Sequence, residues 1–368
     1  LFLGGAGATE LGAGTLTIGA GGVLNFGTYT AYTLGGLSGS GALGLYNNAG
    51  SVVTLTVGNS SGFASGFAGS LYGSGSLILA AGSLGLSGAS GLFTGTILIN
   101  GGTLAVTNDN VLGMVPLAYT PASVILNGGS LSIAANATLS ANRGILLNAA
   151  GTFSIASSVL GTFNNFISGS TPLSLIGSGT YAPSAQSTYS GTTSLISGTL
   201  ALGTSSGISS TGSVQSGPVG MGSLFLSGGT LRGASVGDVV LGNTVSLSVD
   251  TTIGAGGNAL LLAGSVYLAG GTRTLTVNSG SFFALSGTIS DSGASLGLIK
   301  AGGGALVLAG STNFSGPTYV NAGVLAFNAG TLGSGSLFLN GGTLRFGPGN
   351  TQDVSGRLAI GGGTIGTI

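Results

Sequence analysis

Along most of the chain, apolar residues alternate with small or polar ones in short runs interrupted by glycine. The segment SLFLNGGTLRF (336–346) reads as strand, glycine turn, strand. The same eleven-residue pattern recurs as SLILAAGSLGL (76–86), TILINGGTLAV (96–106), SVILNGGSLSI (123–133), SLFLSGGTLRG (223–233), PTYVNAGVLAF (317–327) and RLAIGGGTIGT (357–367). Leu306, Leu325 and Leu344 lie 19 residues apart, as do Leu308, Phe327 and Phe346. Leu337 to Leu358 is 21 residues, and Leu104 to Leu131 is 27.

A short repeat with two or three strands per turn and glycine at its corners predicts an all-β parallel β-helix, or β-solenoid. Its coils are of about 19–22 residues, with occasional inserted loops. Coils stack at the ~4.8 Å strand spacing, so equivalent residues form ladders. Asn321 should stand over Asn340, and Leu325 over Leu344. The 27-residue spacing is then a coil carrying an insertion, NDNVLGMVPLAYTP (108–121). A chain of this length would form roughly 16 to 18 coils. A longer period lies above the coil: LFL at 1–3, 224–226 and 337–339, with VIL at 124–126, divides one continuous solenoid into blocks 1–123, 124–223 and 224–336 and a partial block 337–368.

Composition narrows the chemistry. The 368 residues include 78 glycines, six Lys or Arg, six Asp or Glu, and no His, Cys or Trp. No Ser-His or Cys-His nucleophile, zinc site or disulfide framework can be built, and no cofactor is expected. Scattered cations give no nucleic-acid surface. Apolar stretches such as ALLLAGSVYLAG (259–270) are broken by glycine and fall short of the ~20 residues of a spanning helix. Seven prolines exclude collagen, and 43% hydrophobic content excludes a Gly/Ser linker. The start, LFLGGAGATE, has no basic region, so the sequence is expected to be the mature or excerpted part of something longer.

The stretch 300–346 resembles the autotransporter-associated β-strand repeat, also called the passenger-associated transport repeat. The resemblance rests on Lys300, Gly302, Gly304, Leu306, Leu308, Gly310, Phe314, Ser315, Gly316, Thr318, Val320, Asn321, Gly323 and Leu325. A weaker copy lies at 176–202, without the leading Lys, and a still weaker one at 73–106. The resemblance implies a right-handed β-helix in the secreted passenger of a bacterial surface protein, located at the outer membrane or outside the cell. It implies a scaffold role and no catalytic residues.

A β-helix enzyme would need carboxylates clustered with Arg or Lys on one face. Glu10, Asp109, Asp238, Asp250, Asp291 and Asp353 are scattered, and only Asp250 and Arg273, 23 apart, are near a coil repeat. The simpler reading of that pair is a surface salt bridge worth ~0–1 kcal/mol. Arg232 and Arg345 share a repeat position and are read as solvated, with a sugar-binding pair as the sharper alternative. TLT at 15–17 and 274–276 is ordinary strand sequence. Asn59, Asn136 and Asn313 open glycosylation sequons that a Ser/Thr-rich chain also produces by chance.

The first strand of each repeat carries a sharper signal. If its flanking residues point inward, the middle residue points outward. That position holds Ile78, Leu98, Ile125, Phe225, Tyr319 and Phe338, a candidate self-association stripe. An inserted loop of the same chain could cover the stripe, or a second molecule could. The expectation is a non-catalytic, extracellular structural or adhesive rod that self-associates into a fibre, bundle or sheath, with cell-surface glycans or other cells as further partners. The alternatives are a monomeric adhesin stalk and a carbohydrate-active β-helix enzyme.

Overall fold

The computed structural model describes residues 14–58, 63–234, 237–256 and 258–361. Glu10, Asn59, the first LFL and the second strand of the 357–367 repeat lie outside them. The chain divides into two units, Leu1–Tyr181 and Ala182–Ile368, with the boundary inside the block 124–223.

The first unit is built from short strands that pair in parallel, coil upon coil. One sheet runs through Thr15–Ile18, Gly36–Gly39, Ala64–Phe67, Ser83–Leu86, Thr103–Val106, Ser130–Ile133, Gly151–Ile155 and Leu173–Gly177. A second runs through Ala31–Leu34, Thr54–Val57, Ser76–Leu79, Ile97–Ile99, Thr120–Leu126, Arg143–Leu147 and Ile167–Gly169. Shorter strands close the third side, first Leu43–Gly44, Leu71–Gly73 and Leu92–Phe93, then Ala137–Leu139 paired with Leu160–Phe163. The 27-residue step is a register pair, Leu104 with Leu131.

The second unit repeats the plan. Leu298–Ala301, Thr318–Val320, Leu337–Leu339 and Leu358–Ile360 pair in parallel, and beside them run Ala305–Leu308, Val324–Phe327 and Thr343–Phe346. Leu306, Leu325 and Leu344 are register partners, as are Leu308, Phe327 and Phe346, and Leu337 pairs with Leu358. Thus each spacing read from the sequence corresponds to one stacked coil. One antiparallel pair, Gly207–Ile208 with Val214–Ser216, sits in a Ser- and Gly-rich insertion.

Alternation places leucine, valine, isoleucine and phenylalanine inside: Leu306, Leu308, Leu325, Phe327, Leu337 and Leu339 are fully buried. Each such side chain contributes ~1.5–3 kcal/mol by leaving water. Aromatic residues pack there too: Phe153 stacks on Phe163 at 4.9 Å, and Phe163 meets Tyr181 at 4.6 Å between ring centroids with the rings tilted by 58°. Corners bring backbones so close that a side chain cannot fit. A Cβ on Gly323, whose φ is +65°, would lie 2.4 Å from the carbonyl oxygens of both Gly302 and Gly304. Asn340 Nδ2 donates to Asn321 Oδ1 at 3.0 Å, the asparagine ladder expected from the repeat. In the first unit a longer ladder joins Asn100, Asn127 and Asn148.

Candidate functional site

All six stripe residues, Ile78, Leu98, Ile125, Phe225, Tyr319 and Phe338, are half-buried between fully buried neighbours, so their side chains point outward. Their grouping is different from a single stripe. Ile78 pairs with Leu98, Leu98 with Ile125 and Ile125 with Leu146, forming one unbroken apolar ladder edged by Thr56 and Ser168. Tyr319 and Phe338 pair in register with rings stacked at 4.8 Å and 12° between planes, continuing from Ile299. Phe225 stands in another sheet of the second unit, between Ser194 and Ser246. The eleven-residue pattern does not say which sheet each copy joins, because it spans one corner only and a coil has three.

The charges have a common use. Asp250 Oδ1 accepts from the Thr274 backbone N–H at 2.9 Å, and the Ala259 N–H donates to Asp238 at 3.0 Å. Asp353 accepts from Ser355 N–H at 2.8 Å, which holds its pKa below the usual carboxylate range. Asp291, 2% exposed, accepts from the N–H groups of Gly293, Leu296 and Ser315 and from the Ser315 hydroxyl. The Ser315 N–H is the foremost of the bonds that lower its pKa against the opposing effect of burial. Asp250 and Arg273 approach to 4.0 Å, the expected lateral pair, with the Asp250 side chain largely in solvent. Among the described residues, no cluster of three or more His, Cys, Asp or Glu gathers.

Cations likewise close the backbone. Lys300 occupies an inward position, in register with Leu275 and Val320, and is fully buried. Its ammonium donates to the carbonyls of Ala301 at 2.9 Å, Gly302 at 2.6 Å and Ala322 at 3.0 Å, fastening one corner to the next coil. Burial pushes its pKa down to about 8. Arg143, 2% exposed, binds Asp109 through Nε at 2.8 Å and Nη2 at 3.1 Å and donates to the carbonyls of Leu112, Gly113 and Met114. This buried pair anchors the insertion, whose short 3₁₀ helix Asp109–Leu112 is capped by Asn108. Sequence reading missed it because Asp109 lies inside the insertion, so the 34-residue separation follows no coil period. The run NDN at 108–110, a capping signature, was the available signal.

Arg232 and Arg345 are not brought together by register: Arg232 pairs with Ala201, and Arg345 with Ala326 in a different sheet. The TLT segments also stay apart, Thr17 pairing with Ser38 and Thr274 with Ile299. Asn136 uses its side-chain oxygen on the Leu160 N–H at 2.8 Å, while Asn313 is exposed. Among the described residues no helix is long and apolar enough to cross a membrane.

The family model of the passenger-associated-transport-repeat matches residues 175–202 and 298–327. No curated protein and no solved structure matches the chain. The second match contains Lys300 and both corners that its ammonium joins. In the first, Gly177 takes the equivalent place after Leu175 and Ile176, at φ +95°, where a Cβ would lie 2.1 Å from the Ile155 carbonyl oxygen.

Proposed function

We propose that this passenger-type β-solenoid is a non-catalytic structural element, exposed at the bacterial surface or secreted, that self-associates laterally through its outward apolar ladders. The observation that carries the reading is the unbroken run Ile78, Leu98, Ile125 and Leu146, with Ile299, Tyr319 and Phe338 as its counterpart in the second unit. Strands apolar on both faces are normally covered on both. The net charge of +0 supplies little repulsion between copies, so a second copy of this chain is the occupant that fits best. The transport-repeat matches support the surface or secreted location. Every described aspartate accepts from a backbone N–H, Asp109 from that of Ser140, which supports a scaffold over a carbohydrate-active enzyme.

Sedimentation velocity and negative-stain electron microscopy of the purified chain test the proposal. Concentration-dependent lateral assemblies are expected, weakened by Leu98→Ser and by the double change Tyr319→Ser with Phe338→Ser. A chain that stays monomeric at all concentrations overturns self-association and leaves the solitary stalk.

A further inference from the structure

Among the described residues, Arg143 and Arg357 are each held by a cluster of backbone carbonyls, and they differ in one respect. At Arg143 the Nε/Nη2 edge of the guanidinium is filled by the Asp109 carboxylate, while Nη1 and Nη2 also meet the carbonyls of Leu112, Gly113 and Met114. At Arg357, Nη1 donates to the carbonyls of Gly333 and Gly335, the latter at 2.9 Å, and Nη2 to that of Leu332 at 3.4 Å. A guanidinium has five N–H donors. Those bonds leave Nε–H and one Nη2–H of Arg357 without an acceptor among the described residues. Among the described residues no carboxylate pairs with it, and desolvation lowers its pKa.

A pocket of about 390 Å³ opens at this arginine, within the size range of small-molecule sites. Besides Arg357, it is lined by Asn313, Phe314, Ser315, Ser334 and Gln352. Gln352 Oε1 is fixed by the Gly330 N–H at 2.9 Å, which leaves its amide nitrogen to donate elsewhere. Asn313 is exposed. The Asp291 carboxylate nearby is already engaged by three N–H groups and the Ser315 hydroxyl. The pocket is therefore lined by one arginine with two N–H groups to spare and by neutral amide and hydroxyl side chains.

We infer that this pocket binds an acidic sugar, with the carboxylate of a uronic acid on the Nε/Nη2 edge of Arg357 and the sugar hydroxyls on Asn313, Gln352 and Ser334. Planar two-pronged pairing is what an arginine edge offers a carboxylate, and the chain builds the same pairing internally between Arg143 and Asp109. Amides and hydroxyls match the alternating donors and acceptors of a sugar ring. The site is independent of lateral association, since it needs none of the ladder residues.

Isothermal titration of the full chain with sodium glucuronate, glucose, sodium acetate and inorganic phosphate tests this. Glucuronate should bind saturably, at least about tenfold more tightly than glucose or acetate, and phosphate more weakly than glucuronate. Arg357→Lys retains the charge but loses the planar edge, and should weaken glucuronate binding about tenfold with an unchanged circular dichroism spectrum. Gln352→Ala, which leaves the carbonyl cluster intact, should weaken glucuronate but not acetate. Absence of saturable binding, equal affinity for glucuronate and glucose, equal affinity for glucuronate and acetate, preference for phosphate, or indifference to Arg357→Lys would each overturn the assignment.

Discussion

The guanidinium of Arg143 holds the carboxylate of Asp109 in a two-pronged pair, Nε to Oδ1 at 2.8 Å and Nη2 to Oδ2 at 3.1 Å, across 34 residues of chain. Both groups are buried, so removing one leaves the other charged and without its partner. Asp109→Asn should destabilise the first unit by about 3–5 kcal/mol in chemical denaturation. Replacing both residues, Asp109→Leu with Arg143→Met, should cost less than Asp109→Asn alone, although it frees the carbonyls of Leu112, Gly113 and Met114. Amide exchange within 109–119 should accelerate in Asp109→Asn, because the pair is what fastens the insertion. A double variant as unstable as the single one contradicts this account.

Lys300 makes stability depend on pH in an unusual direction. Its pKa in the fold is about 8, against about 10.4 for an unfolded lysine. Between those values the unfolded chain binds more protons, so stability rises with pH there. Below about pH 8 the fold carries the full cost of the buried cation, on the order of 3 kcal/mol. Tyr32, Tyr72, Tyr119 and Tyr189 have pKa values raised mainly by burial, so they favour unfolding above about pH 10. Urea midpoints between about pH 7 and about pH 9.5 isolate the lysine. The midpoint should climb in the parent chain and stay level in Lys300→Met.

Glycines with the same backbone conformation should respond differently to alanine. Gly323 and Gly330 have φ of +65° and +75°, but a Cβ on Gly330 meets nothing within 4 Å, whereas one on Gly323 meets two carbonyl oxygens and the Lys300 ammonium. Gly330→Ala should cost about 1–2 kcal/mol for the left-handed conformation alone. Gly323→Ala should cost more than twice that, since backbone must move. Thermal denaturation of the two variants side by side measures the difference, and equal losses would show that the corner tolerates the added carbon.

The apolar ladders predict an order among surface changes. Phe225 is flanked by Ser194 and Ser246, so Phe225→Ser breaks no ladder and should leave sedimentation unchanged. Leu98 has Ile78 on one side and Ile125 on the other, so Leu98→Ser divides a continuous apolar run and should reduce the assembled fraction. Equal effects from both changes would mean that scattered hydrophobicity, not the ladders, drives association.

Much of the coil was legible because a solenoid repeats its register in its spacing. Leu306, Leu325 and Leu344 announce their stacking by recurring every 19 residues, and the Asn321–Asn340 bond follows from the same period. Outward orientation of Tyr319 and Phe338 followed from strict alternation. The sheet to which each repeat belongs did not, since the eleven-residue pattern spans a single corner of a three-sided coil and can fall on any of them: the insertion 108–121 leaves Ile125 beside Leu98, yet the copies at 223–233 and 336–346 fall on different corners, which separates Phe225 from Phe338. The Arg143–Asp109 pair and the cation at Arg357 were hidden for a related reason. Asp109 sits where the chain leaves its period, and the long side chains of Arg143 and Arg357 reach carbonyls whose positions no spacing encodes.

The asparagine ladder has a consequence for how such a chain changes over generations. Asn340 meets Asn321 through the same amide geometry by which Asn148 meets Asn127 and Asn127 meets Asn100. Every rung presents upward what it receives from below. A whole coil can therefore be duplicated or deleted and the rungs on either side will join without new chemistry. Coil number is thus open to selection by recombination between neighbouring repeats, while single substitutions at corners such as Gly323 are resisted.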